Sequence, residues 1–200
     1  MKQSKVIGLT GGIASGKSTV SNYLKSKSIP IVDADIVSRE VVMPGSKGLQ
    51  AIVDAFGKDI LEENHLNRKA LRELIFSDEE KRLKLNRILH PIIHDEILTQ
   101  IQALKDNDEP IIIFDAPLLL ENNLKYMVDE LWLVSTSVTK QIERLINRDN
   151  MTLESAESII SKQMSLLEKE KLSDVILDNN STVEALLEQV DKILKNHLYG

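Results

Sequence analysis

Residues 5–19 read KVIGLTGGIASGKST, and this stretch decides the fold because a short apolar run leads directly into the spacing Gly11-x-x-x-x-Gly16-Lys17-Ser18. The spacing is the Walker A, or P-loop, pattern, in which small residues let successive backbone N–H groups close around a phosphate. The lysine of such a loop reaches the β- and γ-phosphate oxygens, and the hydroxyl that follows binds Mg²⁺. The predicted nucleotide contacts are Gly11, Gly12, Ile13, Ala14, Ser15, Gly16, Lys17, Ser18 and Thr19.

The alternative for this stretch is a glycine-rich turn that merely joins a strand to a helix and leaves Lys17 in solvent. A phosphate loop requires a strand before it and a helix after it. Residues 6–10 are an apolar, strand-like run, and residues 18–27 have a helix-like pattern. Because both flanks are present, the P-loop interpretation is favoured.

Composition narrows the class of protein. The chain has 200 residues, a formal net charge of −6 and no cysteine. This length suits one α/β domain that carries insertions, and the negative charge argues against nucleic acid as the main partner. The absence of cysteine excludes disulfides and thiolate metal sites and suits a reducing cytosol. No run approaches the roughly 18 to 20 apolar residues of a membrane span, so we expect a cytoplasmic protein without membrane contact.

Further strands follow the P-loop. Short apolar runs at residues 29–32, 110–115, 129–135 and 173–177 have the length and content of buried parallel strands, and residues 182–198 have the periodicity of a helix. The pattern predicts an α/β fold with a P-loop core, in which a parallel five-stranded sheet is flanked by helices.

Two carboxylates, Asp33 and Asp35, follow the second predicted strand. Ligands of an open parallel sheet bind beyond the carboxyl ends of its strands, so these residues are expected on the same edge as the P-loop. If the chain is still extended there, both side chains point the same way. The alternative is that Asp35 is only the N-cap of a helix at residues 36–42, which is compatible with catalysis.

Asp115 ends the third predicted strand. In a P-loop protein an aspartate at such a strand end is a candidate for holding Mg²⁺ through water. Buried strands also end in aspartate simply because the next loop is solvated. The metal role of Asp115 is therefore left open.

Residues 44–105 form an insertion that is too long for a simple crossover, with helical periodicity at residues 68–76 and 79–104. His90 and His94 lie four residues apart in it, which is a spacing found in zinc sites. The glutamate of a zinc-protease motif is missing, and Pro91 is expected to disturb the helix. A structural or substrate-facing role is favoured for His90.

Residues 138–172 form a polar helical excursion that carries Arg144 and Arg148 on one helix face and is interrupted at residues 147–150. Helical arginines usually lie on a solvated surface. Small-molecule kinases, however, need a mobile cationic lid over the transferred phosphoryl group, and this segment leaves the sheet edge where a lid would be.

Taken in order, six motifs closely resemble those of the dephospho-CoA kinase family: GLTGGIASGKST, DAD at 33–35, LHPII at 89–93, DAPLLLE at 115–121, RLINRD at 144–149 and SDVILDNN at 173–180. The resemblance covers essentially the whole chain. It implies phosphorylation of the ribose 3′-hydroxyl of 3′-dephospho-CoA by ATP with Mg²⁺, the last step of coenzyme A synthesis. It also implies a core of residues 1–43, 106–137 and 173–200, an acceptor-binding insertion at 44–105 and a lid at 138–172.

The resemblance also implies roles for single residues. It places Lys17 on the transferred phosphoryl group, Asp35 at the acceptor hydroxyl as the general base, and Asp33 nearer the metal's water shell. The remaining implied contacts are Arg144 on the lid, Arg148 at ATP, and His90, Pro117 and Leu118 in the acceptor pocket. The family's loop usually has glycine where this chain has Ala14, and Asp115 occupies a position expected to vary. The residues alone leave open which of the two aspartates takes the proton.

Three other functions are compatible with a P-loop. A regulatory GTPase needs an Asn-Lys-x-Asp segment, and the nearest string, at residues 147–150, differs at the lysine and in spacing. A P-loop scaffold without catalysis does not require paired carboxylates. Another small-metabolite kinase, for nucleosides or nucleotides, shares the P-loop, acid pair and lid and differs mainly in the insertion. The expected partners are ATP and 3′-dephospho-CoA, and a monomer is favoured over a small homo-oligomer.

Overall fold

The computed structural model describes residues 4–76 and 78–199. The strands of this part of the chain are β1 Lys5–Gly11, β2 Ile31–Asp33, β3 Leu61–Glu62, β4 His65–Leu66, β5 Ile111–Asp115, β6 Glu130–Ser135 and β7 Val175–Asp178. The helices are α1 Lys17–Ser26, α2 Ala34–Glu40, α3 Lys47–Phe56, α4 Arg68–Phe76, α5 Glu79–Asp106, α6 Val138–Asp149, α7 Leu153–Ser161, α8 Leu166–Leu172 and α9 Val183–Tyr199. In the described residues, no helix is both long enough and apolar enough to cross a bilayer.

Five strands form one parallel sheet in the order β2-β5-β1-β6-β7, as the sequence predicted. Strand β1 lies in the middle, with Leu9 paired to Asp115 of β5 and Gly11 paired to Val134 of β6. The carboxyl ends of parallel strands meet at one edge of a sheet. The loop that follows β1 therefore lies at the centre of that edge.

The chain divides into two compact units. One contains the described residues up to Val32 and those from Leu104 onward, with most of the sheet and helices α1 and α6 to α9. The other, Asp33–Ala103, contains α2, α3, the β3–β4 hairpin, α4 and most of α5.

A buried apolar cluster in the first unit packs the sheet against α1 and α9. Its central members are Ile7 and Leu9 of β1, Trp132 of β6, and Leu24 of α1, all without solvent exposure. Each side chain of this size contributes about 1.5 to 3 kcal/mol on burial. The strand ends that carry the site are therefore held by a well-packed core.

Helix α5 follows the predicted periodicity at residues 79–104 and runs unbroken through Pro91. A proline removes one intrahelical hydrogen bond, here the one to the carbonyl of Arg87 four residues earlier. Both residues lie on the exposed side of the helix, where water can bind the released carbonyl. Pro91 therefore costs the helix one hydrogen bond but does not end it.

Helix α3 was not predicted, because the sequence of the insertion showed helical periodicity only at residues 68–76 and 79–104. The Ser46 side chain caps the helix by accepting from the Leu49 N–H. Gly48 lies inside the helix, where a Cβ would stand 2.1 Å from the carbonyl oxygen of Val41. This glycine permits a close backbone approach and does not break the helix.

Candidate active site

The P-loop joins β1 to α1 and is closed by its own backbone. The Ser15 N–H donates to the Gly12 carbonyl over 3.0 Å, and Gly16 precedes the helix with φ +99°. A Cβ at Gly16 would lie 2.2 Å from Asn179 Nδ2, so both the conformation and the contact require glycine. The glycine that the P-loop pattern requires at position 16 is therefore explained by its φ angle and by the close approach of Asn179.

The amino end of α1 has the properties of an anion site. No side chain caps this end, and its first turn contains no acidic residue. The first N–H groups of a helix have no intrahelical acceptor, and the helix dipole places partial positive charge there. Backbone donors of this kind bind phosphate, and Lys17 at the first helical position adds a full charge.

Lys17 and Asp115 form an ion pair, with 2.5 Å between Nζ and Oδ1. The Lys17 side chain is 18% exposed, and that of Asp115 is 2% exposed. The aspartate therefore holds the lysine ammonium at the carboxyl edge of the sheet. That Asp115 also holds a metal through water stays a prediction.

Three consecutive P-loop carbonyls accept hydrogen bonds from side chains outside the loop. Gln141 Nε2 donates to Ile13 over 2.6 Å, Arg144 Nη1 donates to Ala14 over 2.9 Å, and Asn179 Nδ2 donates to Ser15 over 2.7 Å. In addition, the Ile13 N–H donates to Gln163 Oε1 over 2.9 Å.

Sequence reasoning missed the three amide residues Gln141, Gln163 and Asn179. Asn179 directly follows β7, so the rule that ligands gather at strand carboxyl ends could have singled it out. Gln141 lies three residues before Arg144, which puts both on one face of α6. Gln163 follows α7 in a connecting segment, and its sequence gives no comparable signal.

The two arginines of α6 lie in different environments. Arg144 contacts the P-loop and also donates through Nη2 to the Asn179 carbonyl over 3.3 Å, so it is not a surface residue in bulk solvent. Arg148 is exposed and pairs with Asp149 over 2.7 Å. Its guanidinium lowers the pKa of the Asp149 carboxyl. The structure brings only Arg144 to the loop.

Asp33 and Asp35 belong to the second unit, and their roles in α2 differ from the expectation. Asp33 is the N-cap, with Oδ1 accepting from the N–H groups of Asp35 (2.8 Å) and Ile36 (3.1 Å). The alternative that Asp35 is the cap was therefore wrong. Because the helix begins at Ala34, strand alternation ends there, and it cannot align the two side chains.

Asp35 lies exposed in the first turn of α2. Its carboxylate makes no hydrogen bond or ion pair with any residue that the structure describes. The local structure thus engages Asp33 in capping and leaves Asp35 open to solvent.

The other predicted site residues are less constrained. His90 lies exposed on α5, and Ser18 lies exposed in the first turn of α1. The Pro117 carbonyl accepts from Thr10 Oγ1 over 3.1 Å, and Leu118 beside it is an exposed large apolar side chain. Within residues 4–76 and 78–199, no three histidine or acidic side chains form a cluster suited to a metal ion.

Comparisons with known proteins show which family the chain resembles. A family model described as dephospho-CoA kinase matches residues 5–185. A dephospho-CoA kinase from Oceanobacillus iheyensis is 46% identical over 191 residues, which is 95% of this chain and 96% of the relative. The range that the family model matches therefore spans the P-loop, α6 and the segment after β7.

Solved structures agree in fold. The crystal structure of TT1252 from Thermus thermophilus is 26% identical, with a TM-score of 0.80 over 100% of both chains. A dephospho-CoA kinase from Campylobacter jejuni is 24% identical, with a TM-score of 0.70 over 98% of this chain and 99% of that one. The predicted P-loop kinase fold and kinase activity are confirmed. The chain belongs to the dephospho-CoA kinase family, whose known role is the ATP-dependent final step of coenzyme A biosynthesis.

Proposed function

We propose that this chain transfers the γ-phosphoryl group of ATP to the ribose 3′-hydroxyl of 3′-dephospho-CoA and releases coenzyme A and ADP. The observation that carries the proposal is the P-loop with Lys17 at the head of α1, in a chain that matches the family model over residues 5–185. In the reaction the 3′-oxygen bonds to the γ-phosphorus. The bond from that phosphorus to the β–γ bridging oxygen breaks, and the hydroxyl proton passes to a base.

Lys17 stabilises the negative charge that develops on the transferred phosphoryl group. Phosphoryl transfer depends mainly on positioning and on fixed positive charge, because the protein has little covalent chemistry to perform. The 2.5 Å contact with Asp115 fixes the ammonium before substrate arrives. The lysine therefore needs little reorganisation during the reaction.

Asp35 is the general base, and Asp33 fixes the backbone that carries it. An exposed carboxylate at the start of α2 can accept the proton of an incoming hydroxyl. The side chain of Asp33 holds the N–H of Asp35 and so fixes the backbone from which the base extends. Loss of the base and loss of the cap should consequently have different effects on turnover.

A bound Mg²⁺ would neutralise charge on the β- and γ-phosphates, with Ser18, Asp33 and Asp115 as the protein groups nearest to it or to its water shell. Hydroxyl and carboxylate oxygens are the hard donors that Mg²⁺ prefers. The Ser18 side chain is exposed at the first turn of α1, which leaves its hydroxyl available.

The acceptor binds residues 44–105, which include His90, and also contacts Pro117 and Leu118. An exposed leucine beside the Thr10–Pro117 contact offers apolar surface to a ligand. The segment at residues 138–172 acts as the lid, and it supplies Arg144 to the transferred phosphoryl group and Arg148 to ATP. We expect Arg144→Ala to slow single-turnover transfer and Arg144→Lys to restore it in part, because lysine lacks the planar fork. Unchanged single-turnover rates would contradict this role.

We further propose a cytoplasmic monomer that acts on small molecules, without a nucleic acid or membrane partner. The absence of cysteine supports a reducing compartment, and the net charge of −6 argues against nucleic acid as the partner. Sedimentation of the purified protein, with and without ATP, measures the oligomeric state.

An ADP-release assay with separate acceptors tests the proposed substrate. We expect dephospho-CoA to be phosphorylated and the kcat/KM for AMP or adenosine to be lower by at least about 10³, because binding energy from the pantetheine arm orients the 3′-hydroxyl. Deoxycytidine monophosphate serves as a pyrimidine control. Equal kcat/KM values for AMP and dephospho-CoA would assign the chain to nucleotide kinases instead.

A further inference from the structure

Two buried side-chain amides contact the outside of the P-loop. Gln141 is 1% exposed and donates to the Ile13 carbonyl, and Asn179 is 4% exposed and donates to the Ser15 carbonyl. Neither residue belongs to the loop. A buried N–H donor is costly unless it is hydrogen-bonded, so the pairing of Gln141 Nε2 and Asn179 Nδ2 with these carbonyls fixes the two side chains as well as the loop.

Each amide holds the peptide group immediately before a residue with positive φ. The Ile13 carbonyl precedes Ala14, at φ +56°, and the Ser15 carbonyl precedes Gly16, at φ +99°. The angle φ sets how a residue is rotated relative to the peptide before it. A hydrogen bond to the carbonyl of that peptide therefore stabilises the positive φ of the next residue. At Ala14 this conformation is unfavourable because of the Cβ, and at Gly16 it competes with many other conformations that glycine can adopt.

The orientation of these two peptides decides what the loop presents to an anion. In a trans peptide the N–H points away from the C=O. With the carbonyls of Ile13 and Ser15 directed at the amides, the N–H groups of Ala14 and Gly16 point to the opposite, inner side of the loop. If either peptide turned over, a carbonyl oxygen would replace an N–H there and repel phosphate.

The glycines of the motif make room for these amides. A Cβ at Gly12 would lie 2.6 Å from Gln141 Nε2, and one at Gly16 would lie 2.2 Å from Asn179 Nδ2. Asn179 is itself fixed, because its N–H donates to the Ser135 carbonyl and its carbonyl accepts from Thr136 Oγ1. The donor to Ser15 is therefore anchored to the end of β6.

We infer that Gln141 and Asn179 are positioning residues that hold two P-loop peptide groups with their N–H groups toward the ATP phosphates. The inference rests on the proposed function in that the loop must be the donor site. The two side chains act through the loop backbone and do not touch the nucleotide phosphates themselves.

Two substitutions test the inference. Gln141→Met keeps the side-chain length and removes the donor, and Asn179→Asp keeps the shape and places a carboxylate oxygen opposite the Ser15 carbonyl. We expect the Kd for ATP, measured by calorimetry, to rise about 5- to 10-fold in each variant. The KM for dephospho-CoA should stay within about twofold of wild type, since the acceptor does not bind this loop. The amide ¹⁵N resonance of Gly16 should also move in Asn179→Asp.

Tyr23→Phe is the matched control. It removes one side-chain hydrogen bond in the same unit, from Tyr23 Oη to Asp191 over 2.8 Å, without touching the loop. A general loss of stability would weaken ATP binding in all three variants and would overturn the inference. So would an unchanged Kd in both test variants. If Asn179→Asp fails to fold, Asn179→Ser, whose hydroxyl is too short to reach the Ser15 carbonyl, takes its place.

Different results would contradict the proposed function and the positioning role. If wild type does not phosphorylate dephospho-CoA while the ATP Kd still rises in Gln141→Met and Asn179→Asp, the positioning role stands and the acceptor assignment falls. If wild type phosphorylates dephospho-CoA and the ATP Kd does not change, the function stands and the positioning role falls.

Discussion

The P-loop and the acid pair are built in opposite ways. The P-loop side chain Lys17 pairs with a residue 98 positions away, and the loop carbonyls accept from side chains 128 to 164 positions away. The Asp33 carboxylate, in contrast, accepts hydrogen bonds only from N–H groups two and three residues later in the sequence. The donor site thus depends on the packed sheet, whereas the acid pair depends on one helix cap. Loss of the distant contacts should therefore weaken ATP binding, whereas loss of the cap should destabilise α2 alone.

The largest expected effect is at Lys17. Lys17→Ala should lower kcat by at least about 10² to 10³, because a fixed positive charge at the phosphoryl group is lost. It should also lower the free energy of unfolding by about 3 kcal/mol, since the buried carboxylate of Asp115 loses its ion pair with the Lys17 ammonium. Steady-state kinetics and urea unfolding measure the two effects.

The double variant Lys17→Ala/Asp115→Asn separates catalysis from stability. Removing the buried charge of Asp115 should restore most of the unfolding free energy and none of the turnover. Lys25→Ala, an exposed lysine on the same helix, is the control for a general effect of charge. Recovery of activity in the double variant would show that Lys17 serves the fold and not the reaction.

The acid pair gives the next largest effect. Asp35→Asn should lower kcat by about 10² to 10⁴ with little change in ATP affinity, because an amide cannot take the ribose proton. Asp33→Asn keeps a good N-cap and should leave stability unchanged while raising the Mg²⁺ concentration needed for activity. Asp33→Ala should in addition cost about 1 kcal/mol of stability.

Other outcomes at the acid pair are equally informative. If Asp33→Asn carries the large loss in kcat and Asp35→Asn does not, the two roles are exchanged. If both asparagine variants turn over normally, Asp33 is a helix cap only and the base lies elsewhere.

The same contrast explains what could be predicted from the sequence. The strands and the P-loop were predicted because they depend on neighbouring residues: apolar runs, glycine spacing and the helix that follows. The pairing of Lys17 with Asp115 and the amides of Gln141 and Asn179 were not predicted, because they depend on how distant segments pack. The alternative that made Asp35 the cap named the wrong aspartate, because helix boundaries are uncertain by one or two residues.

Ala14 offers a smaller test of strain in the loop. Its φ of +56° is unfavourable for a residue with a Cβ, and glycine removes that cost. Ala14→Gly should raise the free energy of unfolding by about 0.5 to 1 kcal/mol in urea titrations. Ala51→Gly, inside helix α3, should lower it by about the same amount. If both substitutions destabilise equally, the loop peptides are not strained at Ala14.

The smallest expected effect concerns Glu130, which makes long-range contacts in the first unit without belonging to the site. Its carboxylate, 15% exposed, accepts from Lys5 Nζ (2.5 Å) and Trp132 Nε1 (2.6 Å) and lies 3.1 Å from His197 Nε2. Burial raises the pKa of Glu130, but the hydrogen bonds from Lys5, Trp132 and His197 outweigh it, so the pKa lies below the ordinary value of 4.5. The folded state therefore binds this proton more weakly than the unfolded state.

The sign of the pH dependence follows from that difference in proton affinity. The stabilisation from Glu130 is fully present above pH 4.5 and is lost as the pH falls through the lower folded-state pKa. Glu130→Gln cannot titrate, so its unfolding free energy should fall less steeply than that of wild type over this acidic range, whereas the ATP Kd at neutral pH should match wild type. Parallel acid curves for the two proteins would show that Glu130 titrates alike folded and unfolded. A raised Kd in Glu130→Gln would mean that long-range contacts far from the P-loop also control ATP binding. Contacts that position the site could then no longer be distinguished from contacts that only stabilise the fold.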